Sequence, residues 1–169
     1  MDLRNEDNGD IMKKSLLIYY TLEGNTGFVA DILNQYDEID VEQLKPQKEP
    51  PKDGFGKFLI GGKSALFQSD PKLLPVKAEV DEYENIILAF PVWAGTFPPA
   101  IGAFLKQYQL TGKNISIIAC SASGNADKAF TKLKERLNGN TIVNTISLIN
   151  PLTHQEEARK EISKMIETV

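Results

Sequence analysis

Short apolar runs alternate along this chain with apolar positions at helical spacing. Ser15–Tyr20 is an aliphatic and aromatic run of the kind a buried strand needs. After the turn Thr21–Asn25, residues Phe28, Val29, Ile32 and Leu33 recur on one helical face. Ile39–Leu44 reads as a weaker, edge-type strand, and Asn85–Phe90 as a strong one stopped by Pro91. Pro98-Pro99 suits the first turn of a helix, where the missing N–H groups cost nothing, and Ile101, Phe104, Leu105 and Tyr108 mark its face. Ile115–Cys120 is a further buried run. Ala129, Phe130, Leu133 and Leu137 outline a helix closed by Asn138-Gly139. Thr141–Ile149 carries a fifth strand, and Ala158, Ile162, Met165, Ile166 and Val169 a last amphipathic helix. The proline- and glycine-rich stretch between Lys45 and Tyr83 also contains Phe55, Phe58, Leu59, Leu66 and Phe67, which predict a crossover helix near Gly54–Gln68. Strands alternating with helices imply right-handed crossovers and a parallel sheet covered on both faces, a three-layer, doubly wound α/β/α fold.

At 169 residues the chain is expected to form one domain over residues 13–169, after a polar, aperiodic tail at residues 1–12. The formal charge of −4 comes without any Lys/Arg run, which argues against nucleic acid as a partner. One cysteine, Cys120, cannot form an internal disulfide and does not suggest a secreted, stapled fold. No apolar stretch approaches the ~18 residues that span a bilayer, so no membrane partner is expected and the cytoplasm is the default compartment. No His, Cys and carboxylate grouping has metal-ligand spacing, and His154, the sole histidine, reads as solvent-facing.

In an open parallel sheet, ligands bind beyond the carboxyl ends of strands, where the strand order reverses. Three loops therefore carry the candidate chemistry. Thr21, Leu22, Glu23, Gly24, Asn25 and Thr26 lie between a strand and a helix. Their hydroxyls and unpaired N–H groups at a helix N-terminus suit an anion, with Gly24 allowing close backbone approach. The alternative is that Thr and Asn only cap the helix. Pro91, Val92, Trp93, Ala94 and Gly95, followed by Thr96, hold the single tryptophan. It offers a flat surface to an aromatic ring, or else seals the sheet end as core. Ser121, Ala122, Ser123, Gly124 and Asn125 add small side chains, hydroxyls and backbone donors.

Two competing motifs fail on inspection. Gly62-Lys63-Ser64 lacks the glycine that a phosphate-binding P-loop needs at position 57, where Lys57 stands. A phospho-receiver would need acidic residues where Phe90 and Tyr20-Thr21 occur.

Taken together, Thr21–Thr26, Pro91–Thr96 with Pro98-Pro99, and Ser121–Asn125 resemble the flavodoxin family, specifically its short-chain branch, from Lys14 to the C-terminus. The resemblance implies FMN, a five-stranded sheet of order 2-1-3-4-5, and electron transfer between redox partner proteins, a reductase and an acceptor. It leaves a homodimer open. By position, Thr21–Thr26 would cradle the phosphate, Val92–Gly95 would flank the isoalloxazine ring with Trp93 on one face, and Ser121–Asn125 would meet its pyrimidine edge. No side chain is implied to act as a catalytic acid or base. The third loop departs from better-known members in having no aromatic residue, which would leave one flavin face open, or covered by a phenylalanine from Gly54–Gln68 or by another subunit. That departure keeps an FMN-dependent NAD(P)H oxidoreductase, with a quinone or nitro acceptor, as the alternative.

Overall fold

The computed structural model describes residues 14–50 and 70–169. The tail expected at 1–12 and the helix expected at 54–68 lie outside the described residues.

The chain runs β1 (Ser15–Tyr19), α1 (Asn25–Leu33), β2 (Ile39–Gln43), β3 (Asn85–Pro91), α2 (Pro99–Gln107), β4 (Asn114–Ser121), α3 (Asp127–Arg136), β5 (Thr141–Ile149) and α4 (Gln155–Ile166). All neighbouring strands are parallel, and their order is β2-β1-β3-β4-β5. This is the expected doubly wound architecture, with the order reversing at β1.

The period of two along each strand divides the core. Leu16, Ile18, Ile86, Leu88, Ile115 and Ile117 face one side and pack with Ala100, Ile101 and Phe104 of α2 and Ala129 and Leu133 of α3. Leu17, Ile87, Ala89 and Ile118 face the other, against Val29, Ala30 and Leu33 of α1 and Ala158, Ile162 and Met165 of α4. Both faces are therefore covered, which is why these strands read as continuous apolar runs.

The edge strand β5 alternates between exposed and partly buried residues along most of its length. Its register slips opposite Ile115 and Ser116, so Asn144 rather than Val143 pairs with Ser116; the extra residue, Val143, is left exposed.

One boundary differs from the sequence expectation. Pro91 does not stop β3 but completes it, paired in register with Cys120. It has no N–H to donate, and the next residue resumes the ladder through Val92 N–H to Cys120 O at 2.8 Å. The register also levels the strand ends. Tyr19 lies beside Ala89, Pro91 beside Cys120 and Ser121 beside Ile149, so the following loops open on one edge. Among the described residues, no helix is long and apolar enough to cross a membrane.

Candidate functional site

The loop after β1 folds around one hydroxyl. Thr21 Oγ1 accepts hydrogen bonds from the N–H groups of Gly24 at 3.2 Å and Gly27 at 3.1 Å, so this threonine does cap the helix. Gly24 takes the N-cap position at φ 99°, a left-handed geometry that side chains resist. The N–H groups of Leu22, Glu23, Asn25 and Thr26 have no acceptor among the described residues. Several orphan donors thus gather at the positive end of α1.

Thr26 adds a further polar group. The residue is 1% exposed, yet its Oγ1 makes no hydrogen bond among the described residues. Its neighbour is the thiol of Cys120, a weak partner at best. A buried hydroxyl left in this state normally costs ~1–3 kcal/mol, so it marks a place where a ligand atom would be welcome.

The loop after β3 is a tight two-residue turn. Trp93 N–H donates to Thr96 O and Thr96 N–H to Trp93 O, both at 2.9 Å. Ala94 at φ 47° and Gly95 at φ 72° both occupy the left-handed region, the pattern of a type I′ turn. Glycine accepts that geometry freely; Ala94 holds it at a steric cost. The turn fixes Trp93 rather than leaving it free in solvent. The indole is 5% exposed and meets the Tyr20 ring edge-on, with centroids 5.4 Å apart and planes at 84°. Tyr20 in turn donates its hydroxyl to Glu49 Oε2 at 3.0 Å. Burial first, and then the Glu49 carboxylate, holds the Tyr20 proton on far above the usual phenol range. Trp93 is therefore both a core residue and a wall, because it also borders the cleft described next.

In the loop after β4, Ser121 Oγ accepts from Gly124 N–H at 2.9 Å and Ser123 Oγ from Asn125 N–H at 3.2 Å. Asn125 Oδ1 accepts from Asp127 N–H at 3.3 Å and so helps start α3. Gly124, at φ 74°, lies where a Cβ would come within 2.9 Å of Ile149 Cδ1.

The three loops enclose a cleft of about 160 Å³. Of the residues expected at a site, Thr21, Leu22, Glu23, Asn25 and Thr26 line it from the first loop, Pro91, Val92 and Trp93 from the second, and Ser121 and Ala122 from the third. Gly24, Ala94, Gly95, Ser123, Gly124 and Asn125 shape the turns without bordering the cleft. Two further residues line it: Cys120 and Asn150. Cys120, the last residue of the apolar run expected to be buried, is buried here, and burial pushes its thiol up to about 12. Asn150 directly follows β5, and its signal was positional only: the loop after the fifth strand opens on the same edge as the other three.

A cleft of this kind, at the switch point of an open parallel sheet, marks an α/β protein built to hold a phosphorylated cofactor. The chain belongs to the flavodoxin family of FMN-binding flavoproteins: the family model described as flavodoxin matches residues 14–168. No curated protein matches the chain. Solved structures resemble it in fold. A protein from Bacteroides eggerthii is 20% identical with a TM-score of 0.71, covering 81% of this chain and 88% of its own. A flavoprotein from Lactobacillus acidophilus, solved in complex with FMN, is 18% identical with a TM-score of 0.65, covering 85% of this chain and 97% of its own. A Fusobacterium nucleatum flavodoxin bound to flavin mononucleotide is 16% identical with a TM-score of 0.56, covering 92% of this chain and 95% of its own.

Proposed function

We propose that this chain holds FMN at the β1–β3–β4 edge and works in the cytoplasm as an electron carrier between a reductase and an acceptor protein. The observation that carries the reading is the buried Thr26 hydroxyl, which like several N–H groups of the first loop has no hydrogen-bond partner among the described residues, in the same cleft that Trp93 and Ser121 border.

The residues fit the cofactor. Leu22, Glu23, Asn25 and Thr26 N–H groups, with the Thr21 and Thr26 hydroxyls, would hold the phosphate. Charge-assisted hydrogen bonds contribute ~1.5–3 kcal/mol each, so a few suffice without Lys or Arg. The cleft of 160 Å³ is smaller than the ~300–1,000 Å³ of pockets that enclose a drug-sized ligand. It suits the phosphate end and leaves the ring to the rim, where Val92 and Trp93 supply apolar surface and Ser121 and Ala122 a small, polar margin. When bound, FMN supplies one- and two-electron chemistry at its isoalloxazine ring. The protein's part is to hold the phosphate in a nest of neutral donors, to exclude water with Trp93 and Leu22, and to set the local charge. Surface charge is a weak lever: one charge ~10 Å away in water contributes about 0.4 kcal/mol, so the net −4 matters less than donors at the ring.

One observation favours a second reading. Ala94, Ala122, Ser123 and Asn125 are exposed and small, so a nicotinamide would meet little steric resistance at the rim. That arrangement suits an FMN-dependent NAD(P)H oxidoreductase. Mixing FMN-loaded protein with NADH or NADPH and following flavin bleaching separates the two. Slow bleaching, with rapid reduction by a flavodoxin reductase, supports the carrier. Fast multi-turnover oxidation of NAD(P)H with a quinone or nitro compound overturns it. Protein that stays colourless and does not bind added FMN overturns both.

A further inference from the structure

A second cavity lies beside the cleft, and among the described residues Trp93 alone borders both. Its volume is about 500 Å³, within the ~300–1,000 Å³ of pockets that enclose a small organic ligand. The floor is aromatic, formed by the buried, edge-to-face pair Tyr20 and Trp93. Pro46, Pro50, Pro71 and Pro99 supply the walls, so the lining is rich in rigid apolar rings that have no N–H to donate. Hydrogen bonds tie this frame together. Leu44 N–H donates to Tyr19 O at 2.7 Å and anchors the end of β2 to β1. Pro46 and Leu73 form an antiparallel bridge, flanked by Gln47 N–H to Lys72 O and Leu74 N–H to Lys45 O, both at 2.8 Å. Well-packed proteins leave few voids larger than a water molecule, so a framed cavity of this size is not a packing fault.

The charge at its opening is of one sign. Lys48 and Lys72, both exposed, border the cavity from the two bridged segments, and neither forms an ion pair among the described residues. The carboxylates of those segments are engaged, Glu49 by the Tyr20 hydroxyl at 3.0 Å and Asp70 by Lys106 at 2.5 Å. A chain of net charge −4 thus sets two uncommitted cations over an aromatic, proline-walled space.

We propose that this cavity is a second ligand site, for a small planar aromatic acid in its anionic form. The ring would lie against Tyr20 and Trp93, and the anionic group would meet Lys48 and Lys72 at the opening. Burial of the ring supplies affinity, and the lysines select the sign of charge. The site stands apart from the FMN reading, since none of Thr21–Thr26 borders it.

Titration calorimetry of the flavin-free protein at pH 7 tests this with 2-naphthoate, with 2-naphthol as the uncharged probe and 2-naphthylmethylammonium as the cationic one. Two variants accompany it. Lys48→Glu combined with Lys72→Glu reverses the charge and leaves the walls intact; Ala100→Leu fills the cavity from the first turn of α2. One equivalent of naphthoate is expected to bind, about tenfold or more tighter than the cation. The charge reversal should weaken naphthoate about tenfold and leave 2-naphthol within about twofold. Ala100→Leu should weaken naphthoate and naphthol alike. Ala100 is buried, so the charge reversal decides the matter if the leucine variant does not fold. Absence of saturable naphthoate binding overturns the proposal, and so does binding indifferent to the charge reversal. Repeating the titration at saturating FMN separates the two sites. Undiminished binding is expected, and displacement of naphthoate by FMN overturns the proposal by giving the cavity to the flavin ring. A protein that binds naphthoate but not FMN refutes the cofactor reading and leaves this site standing.

Discussion

Asn25 and Leu152 lie 127 positions apart in the chain, and the side-chain oxygen of the first accepts the N–H of the second at 3.1 Å. That bond joins the start of α1 to the turn before α4, and it occupies the carboxamide oxygen of a residue that lines the cleft. Leu152 also limits the first loop sterically. A Cβ built on Gly24 would approach Leu152 Cδ1 to 3.3 Å.

Gly24→Ala is therefore expected to destabilise the protein by about 1–2 kcal/mol, chiefly through the left-handed backbone, since the Leu152 methyl can shift a little. Urea unfolding of the flavin-free variant measures this. FMN affinity should fall as well, because the loop would relax away from the geometry that aligns its N–H groups.

Thr26→Val separates stability from binding. The valine keeps the shape and removes a buried hydroxyl that makes no hydrogen bond among the described residues. The flavin-free protein is expected to become equally or more stable, by up to about 1 kcal/mol, while FMN binding weakens about threefold or more. A variant that loses stability without losing affinity would mean that the hydroxyl serves the fold.

Trp93 is the single tryptophan, so its emission is an unmixed reporter of the cleft wall. FMN addition is expected to quench it in proportion to occupancy. Trp93→Phe should keep the contact with Tyr20 in part, preserve folding and weaken FMN moderately. Trp93→Ala should cost about 3–5 kcal/mol of stability, because the indole is almost wholly buried.

A pH profile should locate a polar clasp on β2. Tyr83 donates its hydroxyl to Asp40 Oδ2 at 2.6 Å, and Lys14 Nζ lies 3.2 Å from the same oxygen. The Tyr83 bond, with Lys14 second, holds the Asp40 carboxyl below its usual range. The Asp40 bond in turn pushes the Tyr83 hydroxyl up to about 12. For Asp40 the folded value is the lower one, so its contribution is present above about pH 4 and lost as acid carries pH through that folded value. For Tyr83 the folded value is the higher one, so its contribution is complete below about pH 10 and lost as pH rises toward 12. Tyr83→Phe is expected to flatten both flanks of the stability profile. At neutral pH it should cost about 1 kcal/mol, kept small because Asp40 is partly exposed.

Cys120 should behave as a buried thiol despite bordering the cleft. With its pKa raised to about 12 by burial, it is expected to react with a disulfide reagent at pH 8 far more slowly in the folded protein than in denaturant. Bound FMN should slow the reaction further.

Much of the architecture was legible because it depends on local chemistry. The neighbours Leu16, Leu17 and Ile18 all had to be apolar, since alternate side chains enter two different cores, and that requirement alone signals a strand covered on both faces. Gly24 between a strand and a helix, and Pro98-Pro99 at a helix start, carry their meaning in backbone stereochemistry that any reader of the chain can apply.

Other features belong to the tertiary structure. Whether Trp93 is core or wall could not be read from its loop. The answer depends on a type I′ turn and on Tyr20, brought beside it by the β1–β3 pairing. That the Thr26 hydroxyl finds no hydrogen bond among the described residues is a property of its surroundings, including a thiol from β4. The place of Asn150 follows from strand order and register, which set β5 beside β4 with its carboxyl end level with Ser121. Periodicity encodes which face of each element avoids water. Which loops then meet is decided by pairing between distant segments, and no single segment contains that information.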